Sequence, residues 1–104
     1  MKNNNVHLIL IICNHDYVDE VMAVARKAGA KGGTIIHGRG TAPEESKKFF
    51  GITIQPEKAV LMILANNEDQ VLIMNSINEK AGIGSKAHAV SFSMEVSRHL
   101  GFKV

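Results

Sequence analysis

At 104 residues the chain has the length of one ordinary domain, enough for a single core but not for an enclosed ligand cavity of its own, so a site is expected between subunits. Its 45% hydrophobic and 21% charged residues are those of a soluble globular protein and argue against disorder and a bilayer location. Twelve Lys and Arg against ten Asp and Glu leave a net charge of +2, with no basic run and no interleaved aromatics, so nucleic acid is not an expected partner.

The polar start and the short apolar run 8–13 fit neither a signal peptide nor a membrane span, and a cytoplasmic protein is expected. That run belongs to a first strand over 6–13, rich in β-branched residues and apolar on both faces. Cys13, the single cysteine, ends it and is expected in the core, because one thiol forms no intrachain disulfide. Asn14 or Asp16 is the expected cap of a helix running to about Ala28, with Val18, Val21, Met22 and Ala25 at helical spacing and Gly29 closing it.

A second strand over 33–38 leads into a polar stretch over 39–50, long enough to be functional. Within it Glu44 and Lys48 are spaced to pair on a short helix, and Phe49 and Phe50 read as anchors for the base of the loop. Strands follow over 49–54 and 59–65, interrupted by Gln55-Pro56-Glu57-Lys58, since proline cannot donate to a central ladder. Asn67 is the expected cap of a second helix that carries Glu68 and Asp69 in its first turn. Its buried stripe is expected from Val71, Leu72, Met74 and either Ile77 or Ile73, and Ala81-Gly82 stops it. The last strand spans 88–96, Ala89, Ser91 and Ser93 alternating with Val90, Phe92 and Met94.

This order is the α+β, ferredoxin-like βαββαβ sandwich, an antiparallel sheet with two helices on one face, in a single domain over 1–104. Leu8, Leu10 and Ile12 point to one side of the first strand, and Ile9, Ile11 and Cys13 to the other. Helices cover only one of these sides, so self-association through the other is expected.

Two glycine turns carry most of the functional information. One is Gly32-Gly33-Thr34-Ile35-Ile36-His37-Gly38-Arg39-Gly40, the other Gly82-Ile83-Gly84-Ser85-Lys86, and each sets bare backbone N–H groups beside a cation, as an anionic ligand such as a phosphate requires. With Ala28-Gly29-Ala30-Lys31 leading into the second strand, Pro56 beyond the long loop and Ala81-Gly82-Ile83-Gly84 after the second helix, the chain resembles the nitrogen-regulatory PII signal-transduction family, as a divergent PII-like member. The resemblance implies a cytoplasmic homotrimer with sheets facing inward and a ligand cleft between each pair of neighbouring subunits.

It further implies a T-loop at about 41–55 that docks on a target enzyme, transporter or regulator, and an adenine nucleotide, ATP, ADP or AMP, as ligand. By the same resemblance the phosphates fall to Gly82, Ile83, Gly84, Ser85 and Lys86. The opposing wall falls to Gly33, Thr34, Ile36, His37, Gly38, Arg39 and Gly40, with Thr34 able to hydrogen-bond a base or ribose.

The chain departs from the family pattern in three ways. Its glycine turn is shorter and less basic, and the family's C-terminal arginine pair is reduced to Arg98, His99 and Lys103. No tyrosine lies in 41–55 to accept uridylylation, Tyr17 standing instead at a helix start. The glutamine that helps family members chelate magnesium and 2-oxoglutarate has no counterpart.

No residues assemble a base, a nucleophile and an oxyanion stabiliser, so an enzyme is not expected. The alternative is a metal-binding trimer resembling the divalent-cation-tolerance proteins and using some of His7, His37, His88 and His99. Metal ligation is otherwise not expected, because none of the five histidines stands at ligand spacing from another. His37 is the exception, standing beside Gly38-Arg39-Gly40 within reach of a ligand's phosphate or carboxylate.

Overall fold

A computed structural model describes residues 5–41, 48–49, 52–53 and 57–104. β1 (Val6–Asn14) passes through a 3-10 turn (His15–Tyr17) into α1 (Val18–Lys27), and β2 (Thr34–Arg39) follows. β3 (Lys48–Phe49) and β4 (Ile52–Thr53) pair as a small antiparallel hairpin. β5 (Glu57–Asn66), α2 (Asn67–Ala81) and β6 (Val90–Glu95) complete the described order.

The main sheet runs β2-β5-β1-β6, antiparallel at every step, which is the ferredoxin-like arrangement expected from the sequence. Register keeps the two faces apart. Ile9, Ile11 and Cys13 of β1 share the helix side with Ala59, Leu61 and Ile63 of β5, and all six are fully buried against α1 and α2. On the other side the pairings stack Ile36, Val60, Ile12 and Val90 in one row, Met62, Leu10 and Phe92 in a second, and Leu64, Leu8 and Met94 in a third. Ile36, Leu64, Val90, Phe92 and Met94 of this face are exposed in the single chain.

Local chemistry accounts for the helices. Val18, Val21, Met22 and Ala25 form the buried stripe of α1, with acidic residues in its first turn and Arg26 and Lys27 in its last, matching the helix dipole. It ends in a Schellman motif. The Ala30 N–H reaches the Ala25 carbonyl at 2.9 Å, the Gly29 N–H reaches that of Arg26 at 3.1 Å, and Gly29 supplies the left-handed φ of 124°.

At its start α1 differs from expectation. The 3-10 turn intervenes, no side chain caps either segment, and the Asn14 amide is committed elsewhere. The cap of α2 is Asn66, one residue before the expected Asn67, its Oδ1 accepting from the Asp69 N–H at 2.7 Å. Asn66→Ala is therefore expected to cost about 1 kcal/mol in urea unfolding and Asn67→Ala clearly less.

The buried stripe of α2 is Ile73, Ile77 and Ala81, at i, i+4 and i+8. Val71 and Leu72, expected inside, face solvent, and Met74 is half-buried. β2 and β6 are displaced or shortened by one or two residues from the expected 33–38 and 88–96. The Glu44 to Lys48 pairing, Phe50 and Pro56 lie wholly or partly outside the described residues, as does most of 41–55.

Burial raises the Cys13 thiol pKa above its ordinary 9.0, against a smaller lowering from the Lys58 charge. An acid held neutral by the fold contributes stability that is fully present below the unfolded thiol pKa and lost as pH climbs from there through the raised folded value. Stability is expected to decline above about pH 9.0, and Cys13→Ala to flatten that decline in urea titrations across the alkaline range.

Candidate functional site

Of the two glycine turns, the second has the better-defined geometry. Gly82, Ile83, Gly84 and Ser85 form a β-turn closed by the Ser85 N–H on the Gly82 carbonyl at 3.0 Å, with Gly84 at φ 96° in the position where a type II turn demands a left-handed residue. The Ser85 hydroxyl donates to the same carbonyl at 2.7 Å and accepts the His88 N–H at 3.2 Å. Among the described residues the N–H groups of Ile83, Gly84 and Lys86 make no backbone hydrogen bond outside the helices and strands, and Ile83 and Lys86 are exposed.

One side-chain chain ties this turn to the β2 end. Asn14, the last residue of β1, donates from Nδ2 to the Lys86 carbonyl at 2.8 Å, and its own N–H reaches the Ala87 carbonyl at 2.9 Å. The same side chain accepts the Lys58 ammonium on Oδ1 at 2.7 Å. Lys58 pairs across the sheet with Gly38, and a Cβ built on Gly40 would stand 3.1 Å from its Cε. Gly38, Arg39 and Gly40 thus share one end of the sheet with Lys58 and with Asn14, which reaches the Lys86 carbonyl, and Arg39 stands opposite Glu57.

The remaining sequence candidates are not all at this end. His37 is there, its ring 4.5 Å from that of His15. Ile36 sits in the open face beside Val60. Gly33 and Thr34 lie at the far end of β2, about 16 Å from Arg39 at a strand rise of ~3.3 Å per residue. They line an open cavity of about 280 Å³ with Gly29, Met62, Asp69 and Phe102. Within one chain, therefore, the first glycine segment contributes to two separate surfaces.

Asn14, Lys58 and His15 were missed from sequence. Lys58 stands 44 residues from Asn14, and Asn14 stands 72 from Lys86, so no local spacing reveals them. Only the pairing of β1 with β5 does so, by setting Asn14 opposite Lys58. The histidines of the metal alternative are spread out. His7 pairs with Ala65 and Glu95 inside the sheet, His88 follows the glycine turn in a left-handed conformation, and His99 packs on Phe102. Among the described residues no three His, Cys, Asp or Glu are grouped to hold a metal ion, and no helix is long and apolar enough to cross a membrane.

The fold and its basic sheet end define a ferredoxin-like α+β domain with one apolar face uncovered. Solved structures place it further. A PII-like signaling protein from Thermus thermophilus superposes with a TM-score of 0.69 at 18% identity, over 92% of this chain and 90% of that one. A DUF3240 family protein from Shewanella baltica gives 0.69 at 10% identity, over 97% and 100%. PII of Arabidopsis thaliana, in a structure bound to citrate, gives 0.67 at 20% identity, over 91% and 80%. Protein-family models and curated proteins give no match. The chain has the fold of PII-like signaling proteins.

Proposed function

We propose that this chain is a PII-like regulator that acts as a cytoplasmic homotrimer, binds an adenine nucleotide or a related small anion at its subunit clefts, and relays occupancy through the segment at about 41–55 to a partner protein. The observation that carries the reading is the link at the sheet end, where Asn14 joins the Lys58 ammonium to the backbone of the Gly82 to Lys86 turn, with Arg39 at the same end of the edge strand β2. Backbone amides and cations at one locus favour a phosphate or carboxylate, since charge-assisted hydrogen bonds are about twice as strong as neutral ones. The uncovered apolar sheet face supports an assembly, and two ligand surfaces on β2 suit a ligand held by more than one chain.

Signalling then follows from population shift. Arg39 ends the strand that feeds the segment at 41–55, so a ligand that contacts Arg39 in one arrangement of that segment and not in another biases the two by its difference in affinity.

The test is calorimetric titration with AMP, ADP, ATP and citrate. At least one is expected to bind, and Arg39→Ala and Lys86→Ala each to weaken it by about tenfold, the loss of one charge-assisted contact of ~1.4 kcal/mol. Absence of binding by all four, or full affinity in both variants, would refute the reading.

A further inference from the structure

His15 and His37 come from separate elements, the 3-10 turn after β1 and the edge strand β2, yet their rings stand 4.5 Å apart between centroids, tilted by 48°. Register places His37 on the helix side of the sheet, in line with Ala59 and Cys13, at the end where β1 hands over to the turn that carries His15. His15 is less than half exposed, and its Nδ1 faces the Asp16 carboxylate at 3.4 Å. A carboxylate beside Nδ1 is the partner commonly found behind a histidine that ligates a metal through Nε2. Among the described residues neither ring nitrogen of His37 is engaged in a hydrogen bond.

We propose that His15 and His37 form a two-imidazole clamp for a divalent transition-metal ion of the copper, nickel or zinc class. Two rings at this separation need only side-chain rotation to bring one nitrogen each to ~2.0–2.1 Å from a shared ion. Imidazole selects these metals over magnesium and calcium, which take oxygen ligands. Water fills the remaining positions, and Asp16 stays beside His15 Nδ1. The clamp is an open chelate and not a closed structural site, because among the described residues no third His, Cys, Asp or Glu is grouped with the pair.

The nearby cations Lys58 and Arg39 oppose a bare dication, an opposition that an accompanying anion relieves. The Lys58 ammonium is bonded to Asn14, directly before His15 in the chain, and Arg39 lies two residues beyond His37 on the same face of β2. The proposal goes beyond the regulatory reading and does not rest on it.

Nucleotide-free protein in neutral buffer is titrated calorimetrically with the chlorides of Cu²⁺, Ni²⁺ and Zn²⁺, and the copper complex is examined by electron paramagnetic resonance. At least one of these ions is expected to bind at one per chain. His15→Gln and His37→Gln each weaken it by about tenfold or more, Asp16→Asn weakens it less, and His88→Gln leaves it unchanged. Nitrogen coupling from two imidazoles in the copper spectrum falls to one in either clamp variant. No binding by any of the three ions, full affinity in both clamp variants, or a loss only in His88→Gln would overturn the proposal. Circular dichroism of each variant separates loss of the clamp from loss of the fold, and because no nucleotide is present its failure leaves the Arg39 and Lys86 titrations standing.

Discussion

Leu10→Glu is expected to convert the proposed trimer into protomers and to abolish anion binding with it. Leu10 occupies the middle of the uncovered face, paired with Met62 on one side and Phe92 on the other. The face spans about five residues along each strand, on the order of 300 Å² by strand spacing and rise, and it is apolar apart from Thr34 at the β2 edge of the second row. A contiguous patch of that size is comparable to the largest on a typical monomer, and such patches are often interaction surfaces. Burying it between copies removes the exposure of Phe92, Val90, Met94 and Ile36 in one step.

A carboxylate in its centre must be desolvated in every subunit at once, at several kcal/mol per ion without a partner charge. Leu10 does not touch the helix-side core, so the protomer itself is expected to fold. Sedimentation velocity at micromolar concentration tests this. Wild-type protein should run at three times the protomer mass, Leu10→Glu at one, and Lys80→Glu on the exposed side of α2 should remain assembled. Wild type running as a single protomer would remove the assembly, and with it the clefts.

The two-sided character of β1 was legible because its side chains alternate with strict period, and a β-branched run of that length has one regular conformation. Gly29 was legible for a similar reason, since a helix stop with left-handed φ selects glycine. The face of α2 was not. Apolar residues at 71, 72, 73, 74 and 77 wrap most of the way round a helix, and periodicity alone leaves the choice open. The choice falls to Ile73, Ile77 and Ala81 because they are the set that meets the sheet and α1. Asn66 and Asn67 are equally good caps in isolation, and their order was settled by β5 running on to Asn66.

At the sheet end the glycines and nearby cations could be read locally, whereas the Lys58 to Asn14 to Lys86 connection exists only once three strands are laid side by side. The same holds for the His15 and His37 pair. Short-range chemistry was visible in the sequence, and chemistry made by strand pairing was not.

That connection makes the glycine turn sensitive to its own anchor, and Gly82→Ala is expected to displace it. A Cβ on Gly82 would stand 2.5 Å from the Asn78 carbonyl oxygen and 3.2 Å from its carbon, both backbone atoms of the last turns of α2, so no side-chain rotation relieves the contact. The chain must move instead, either by unwinding the end of α2 or by swinging out the segment closed by the Ser85 bonds to the Gly82 carbonyl.

Overpacking of this kind costs about 1–3 kcal/mol in unfolding free energy. It also shifts Lys86 and the free N–H groups away from Lys58, so anion affinity should fall by more than the tenfold expected of Lys86→Ala alone. Gly84→Ala is the informative comparison. Its Cβ meets open space, and only its φ of 96° resists a side chain, so the expected cost is about 1 kcal/mol of local strain with a smaller loss of binding. Urea unfolding gives the two costs and nucleotide titration the two affinities. Equal effects of the two substitutions would mean that left-handed geometry alone governs the turn, and that its seat on Asn78 does not position the ligand amides.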